Sequence, residues 1–283
     1  MADPFARTYG AEILVDAAPN VAKGLLLRNI RRWCPRAAPM DGNPEDGSLL
    51  FVHPDHPIQL VDARIEAQTF VAVGDGPPDP AKYGDAIGQS WDFDEAVAAV
   101  DRAKATMLVT DVMTSSLEYR LRLDLFQRSL RGVLEAVSGV AIHWLPSGRI
   151  VDPRTWVQAF DRGDPAQRFF AGAINVRMFN VQPSKAGAPG DVLMDTLGLA
   201  ALGLPDLQCH FRNLDRTAVA RLLFNTGWYV FSNGDVIADG HTVQGLGPGA
   251  RWRCQHEDAL VPPAREVLDL DPGPPHAAGN RAG

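Results

Sequence analysis

Between Asp191 and Gly245 the apolar period of the chain changes from two to about 3.6, and the change falls at Asp215. Val192–Leu197 and Leu207–Phe211 alternate like strands. Asp215 then offers an N-cap, and Val219, Leu222, Leu223, Thr226 and Val230 repeat along one face of a helix. A helix with one apolar face needs a flat apolar partner, so this stretch demands a helix packed on a sheet. Asn233-Gly234 and Asp239-Gly240 are tight-turn dipeptides that suit hairpins, and Arg251–His256 reads as a last strand.

The preceding sequence alternates helix and strand signals in the same way. A strand is expected at Glu12–Asp16, and a helix capped by Asn20 runs to Trp33, burying Leu25, Leu26 and Ile30 before Pro35 stops it. Strands follow at Leu49–Val52, Ile58–Val61 and Arg64–Val73, with His53-Pro54-Asp55-His56 as a turn. Asp92, with Glu95 three residues on, opens a helix whose face is Phe93, Ala96, Val97 and Val100. Ala105–Met113 is β-branched enough for a central strand. Ser115 and Glu118 form a capping box for the longest helix, with Tyr119, Leu123, Phe126, Leu130, Val133, Leu134 and Val137 at helical spacing. Val140–Leu145 is again a strand, Asp152-Pro153 starts a short helix, and Ile174–Val181 alternates. Hairpins beside too few βαβ units give an α+β class, with helices on antiparallel or mixed sheet. The expected organisation is an N-terminal tail (1–8), one globular domain (9–271) of two ferredoxin-like halves (9–137 and 138–271), and a disordered tail (272–283).

Composition narrows the function classes. Hydrophobic residues make up 46% and charged residues 22%, as in an ordinary globular chain. The net charge of −7 argues against general nucleic-acid binding; Arg28, Arg31 and Arg32 form a local basic patch, read as a solvated helix face. Arg far outnumbers Lys, which suggests a GC-rich bacterial genome. The odd set Cys34, Cys209 and Cys254 fits a reducing cytoplasm better than a disulfide framework. No secretory leader pattern and no apolar run long enough to span a bilayer is present, so a cytoplasmic protein without membrane contact is expected. Oligomeric state is left open.

Catalytic motifs fail one by one. The P-loop pattern is absent, and Gly245–Gly249 precedes no helix. Gly88–Asp92 lacks the second glycine of a hydrolase elbow, and Ser90 sits at an expected helix start. His53 with His56, and Cys254 with His256, are possible metal-ligand pairs, though neither makes a site alone; Cys209 and His210 point to opposite faces of a strand. No metal, cofactor or catalytic residue is assigned. Asp111, at the end of an apolar strand, either anchors the turn Thr114–Ser116 or serves acid–base chemistry. Turn chemistry accounts for Asp239. The leading expectation is a non-enzymatic protein-binding component of immunity, adaptor or assembly type. Trp156, Phe169 and Phe170, bracketed by Arg162 and Arg168, are its candidate interface, since aromatics and Arg dominate hot spots. The alternative is a small-molecule-binding protein or enzyme with a cleft between the halves, lined by Asp111, His143, Arg177 and Tyr229.

Four blocks carry a resemblance. They are Ser90-Trp91 with Glu95-Ala96-Val97 ahead of the strand Ala105–Thr110; Ser138-Gly139-Val140-Ala141-Ile142-His143-Trp144; Thr196-Leu197-Gly198-Leu199 with Leu202-Gly203-Leu204-Pro205-Asp206; and Val236 with Asp239-Gly240-His241-Thr242-Val243 and Gly245. Together, over about residues 90–256, they resemble the bacterial domain-of-unknown-function family 4261. Leu197 stands where that family usually has glycine, and His241 where it has an acidic residue. The resemblance implies membership and a fold, and no catalytic residue or activity.

Overall fold

A computed structural model describes residues 8–17, 19, 22–40, 48–74, 76–181 and 190–279. It divides into two compact units, 1–172 and 173–283.

The first unit runs β1 (Gly10–Val15), α1 (Lys23–Trp33), β2 (Ala38–Pro39), β3 (Leu49–Gln59), β4 (Arg64–Val73), α2 (Gly84–Gly88), α3 (Ala96–Arg102), β5 (Ala105–Val112), α4 (Tyr119–Leu134), β6 (Gly139–Trp144), β7 (Arg149–Val151), α5 (Pro153–Asp161) and α6 (Pro165–Arg168). Its seven strands pair antiparallel in the order β2-β3-β4-β5-β1-β6-β7. Strand alternation divides the core. On one face Tyr9, Phe126, Trp144, Trp156 and Phe160 form an aromatic chain with successive centroids 5.1–6.1 Å apart. On the other, Leu14, Ala141 and Ile150 pack against Tyr83, Ala96, Ala99 and Val100. Gly132 is where α4 meets α1: a Cβ there would come within 2.7 Å of the Ile30 backbone.

Several boundaries differ from expectation, each for a local reason. Asp92 does not cap α3, because its carboxylate is taken by Arg149 Nη2 at 2.5 Å; α3 starts after Glu95 and buries Ala99 in place of Val97, which is exposed. Ser90 follows α2 instead of starting a helix. Its hydroxyl donates to Ala86 O and accepts from Ile150 N, tying α2 to β7. At α4 the cap is Glu118, whose carboxylate accepts from Arg120 N and Leu121 N, not Ser115. The His53–His56 stretch lies within one continuous strand, its extra length absorbed by a register shift between His53 and Pro57. Asn20 lies outside the described residues.

The second unit comprises β8 (Asn175–Val181), β9 (Asp191–Leu197), β10 (Asp206–Phe211), α7 (Arg216–Asn233), β11 (Thr242–Gln244), β12 (Arg251–Asp258) and β13 (Glu266–Asp271). The strand order is β11-β12-β13-β10-β9-β8, with β10 and β13 parallel and the remaining pairs antiparallel. Asp215 caps α7 by accepting from Ala218 N at 2.7 Å, and Gly234, with φ of 83°, ends it. Val219, Leu222, Leu223, Thr226 and Val230 are all buried, and Gly227 lets α7 approach Ile174, just before β8, and Leu207 on β10.

The α+β class therefore holds, with the division at Gly172/Ala173 rather than at 137/138. The displaced boundary follows from β6, which adds to β1 in the first sheet and brings β7 with it. The units are not copies, since the second carries a six-stranded sheet and one long helix. The expected disorder after Asp271 does not extend to residues 272–279. Arg212 N donates to His276 O, Ala278 N to His210 O, and Ala278 is buried. Positions 280–283 lie outside the described residues.

Candidate functional site

Asp111 and His143 share a sheet but not a face. Asp111 points toward α4, where Arg122 donates to both its oxygens at 2.6 and 3.2 Å, and Thr114 Oγ1 and Tyr9 N donate at 2.5 Å each. Every acceptor position is thus engaged in a buried anchor. His143 pairs across from Glu12 on the opposite face, 3.8 Å from its carboxylate, and its ring meets Tyr83 edge-on. The neighbouring His143 holds the Glu12 carboxyl below its usual range against the opposing effect of burial, and the Tyr83 hydroxyl assists by donating to it at 2.9 Å. In the second unit Arg177 grips Asp195 bidentately on the sheet face away from α7, whereas Tyr229 stands on α7 itself, half exposed. Within each unit, then, the two expected ligand residues do not share a face.

The expected interface is instead core. Trp156 and Phe169 are each 1% exposed, because the amphipathic α5 turns Trp156 and Phe160 inward to stack on one another. Arg168 holds Asp124 at 3.1 Å and lies over the Phe160 ring; Phe170 is half buried, and Arg162 is exposed and donates to Gln167.

Of the histidine pairs, His53 is buried with Nε2 2.8 Å from Thr69 Oγ1, and burial pushes its pKa down to about 4. It lines a cavity of about 300 Å³ with Cys34, His56, Leu121, Asp124 and Arg128. Burial pushes the Cys34 thiol up to about 11, far from a reactive thiolate. Cys254 is likewise buried and raised to about 11. His256 shares its face but sits among carboxylates: Nδ1 is 2.8 Å from Asp239 and Nε2 3.2 Å from Asp235.

Two features of the second unit were not read from the sequence. The first is a buried polar layer on the sheet face opposite α7. Arg265 bridges Asp195 at 2.6 Å and Asp206 at 3.1 Å, and Asp195 also receives Arg177. Gln208 donates to Glu257 and accepts from Leu260 N. Burial raises the Asp206 carboxyl even though Arg265, Thr196 Oγ1 and the Leu199 and Ala200 amides all favour its charged form. The available signal was alternation: Asp195, Asp206, Gln208 and Asp269 recur at strand spacing, polar where the opposite face is apolar.

The second feature is a groove of about 410 Å³ beside α7. Ala218, Arg221, Leu222, Asn225, Thr226 and Tyr229 form its helical wall, and 243–246 form the other. The helical residues follow the 3-4 spacing of a face that adjoins the one packed on the sheet and shares Leu222 and Thr226 with it. The second wall is continuous with β11, an edge of the sheet. Val243 pairs with Trp252, His241 O accepts from Cys254 N, and Gly245 N donates to Ala250 O. Antiparallel alternation then turns the N–H and C=O of Thr242 and Gln244 away from β12.

Comparison with known proteins gives one match. Residues 195–271 match the family described as Domain of unknown function (DUF4261); the matched segment spans all of α7, the groove wall and the polar layer apart from Arg177. No curated protein and no solved structure matches the chain. No helix among the described residues is long and apolar enough to cross a membrane.

Proposed function

We propose that this protein is a non-enzymatic protein-binding component, and that its second unit receives an extended segment of a partner protein. The observation that supports this reading is the groove between α7 and 243–246, lying against the edge strand β11. An extended segment adds main-chain hydrogen bonds to such an edge while alternate side chains enter the adjoining groove. Thr242 and Gln244 supply the outward backbone groups. Tyr229 offers a half-exposed aromatic surface, and Arg221, with no carboxylate partner among the described residues, favours an acidic side chain in the ligand. The three free buried thiols, Cys34, Cys209 and Cys254, support the cytoplasm as the place of action.

Selection of random peptides against the whole protein tests the proposal. Selected binders lose at least about tenfold in affinity, roughly 1.4 kcal/mol, toward both Tyr229→Ala and Thr242→Pro. The proline removes an outward donor without removing one aimed at β12. Binders indifferent to both substitutions contradict the reading. A second reading, a small-molecule ligand, draws on the same groove, whose volume falls within the usual range for such sites. A ligand of that kind is sensitive to Tyr229→Ala and indifferent to Thr242→Pro.

A further inference from the structure

Away from the groove, three side chains from three segments converge at the far end of α7. Asp235 follows Gly234, whose left-handed backbone turns the chain out of the helix. His256 stands on β12. Glu266 opens β13, two residues before Leu268, the cross-strand partner of His256, so Glu266 and His256 share a face of the sheet. One donor atom from each of the three lies within 4.8 Å of the other two. Tetrahedral coordination with bonds of about 2.0–2.1 Å separates neighbouring donors by about 3.4 Å. The distance of 3.2 Å between His256 Nε2 and Asp235 Oδ1 already matches that spacing.

A fourth residue fixes the imidazole from behind. The Asp239 carboxylate accepts from His256 N at 2.7 Å, and the same oxygen lies 2.8 Å from Nδ1. A carboxylate on the rear nitrogen sets ring plane and tautomer, leaving Nε2 as the ligand atom. Asp239 is itself held by the turn at Gly240, whose φ is 81°.

We propose that Asp235, His256 and Glu266 form a binding site for a divalent transition-metal ion of the zinc type, with Asp239 as the residue that orients the histidine. Two carboxylates and a neutral imidazole balance the charge of such an ion. The nitrogen donor and the set of three ligands disfavour calcium and magnesium, which take oxygen ligands in larger number. Partial exposure of all three side chains leaves room for water at a fourth position. The ion would tie the segment after α7 to β12 and β13, pinning the approach to β11. This site is independent of the groove, and either can fail without the other.

Zinc added to chelator-treated full-length protein tests the assignment, with affinity read by competition against a chromophoric chelator. The wild type binds about one equivalent and melts at a higher temperature with zinc than without. Glu266→Gln and Asp235→Asn, both exposed and therefore compatible with folding, lose at least tenfold in affinity and lose the melting shift. Asp239→Asn weakens binding by about 10–100-fold, as changes to such orienting carboxylates do. Cobalt(II) in the same site gives no thiolate charge-transfer band, which separates it from the three cysteines. Absence of zinc binding, affinity unchanged in Glu266→Gln, or a thiolate band overturns the proposal; the cluster is then an imidazole held between two aspartates and nothing more.

Discussion

The two sheets bury charge in different ways. In the first unit helices cover both faces, and the buried ion pair Asp111–Arg122 is closed: two further donors, Thr114 and Tyr9, complete the carboxylate. In the second, α7 covers one face, and the other carries the chain Arg177–Asp195–Arg265–Asp206, in which each inner member serves two partners. Burial in low dielectric costs several kcal/mol per ion, so neither arrangement is by itself a source of stability. The contrast teaches that a buried carboxylate at a strand end is a poor guide to function. Asp111 reads from sequence as either a turn anchor or an acid–base group, and its bond from Thr114 makes it the anchor; the open groove lies at a sheet edge, where apolar and polar residues mix unremarkably.

Substitutions sharpen that comparison. Arg122→Met leaves Asp111 buried without its guanidinium and should cost about 3–5 kcal/mol, read from denaturant midpoints. Asp195→Asn removes the shared charge from Arg177 and Arg265 and falls in the same class. Leu222→Ala should cost about 2–5 kcal/mol, and a loss below about 0.5 kcal/mol, the level of a surface change, would remove α7 from the sheet. The glycines divide by what they meet. Gly132→Ala drives a Cβ into the Ile30 backbone and should cost about 1–3 kcal/mol. Gly227→Ala meets the flexible tip of Ile174 and gains helix propensity worth up to about 1 kcal/mol, so it should cost less. Equal losses at both would break the distinction between a helix pair locked through backbone and a helix resting on side chains.

Asp206 adds a pH dependence. Its carboxyl is raised in the folded chain, so folding favours the protonated form there. The associated stability is fully present below the unfolded carboxylate pKa and declines as pH rises through the folded value. Unfolding midpoints of wild type and Asp206→Asn, compared between pH 4 and 7, should show this decline in the wild type alone. An identical pH slope in both removes Asp206 as its cause. Smallest of all, Tyr229→Ala should change stability by no more than about 0.5 kcal/mol, since it is half exposed.

The sequence revealed most where one periodicity ran long enough. The faces of α4 and α7, the Asp152-Pro153 start of α5 and the strands β5, β8, β9 and β10 all follow from spacing and caps. Short elements did not. In β13 consecutive residues Val267, Leu268, Asp269 and Leu270 are buried, so the alternation of a one-sided strand is missing. The cap of α4 moved to Glu118 because its longer side chain still reaches the first free amides. Trp156 and Phe169 have the composition of an interface, and only packing separates an aromatic hot spot from an aromatic core. Tyr229, one of the expected ligand residues, lines the open groove, while the groove's second wall is assembled by pairing across a turn that no local pattern states.

For the proposed engagement of a partner at the α7–β11 groove, the decisive measurement is amide shift mapping with a selected peptide. Perturbations should concentrate at 242–246 and along Ala218–Tyr229, with Thr242 and Gln244 amides newly protected from exchange. Perturbations confined to the first unit, or protection absent at Thr242 and Gln244, would contradict it.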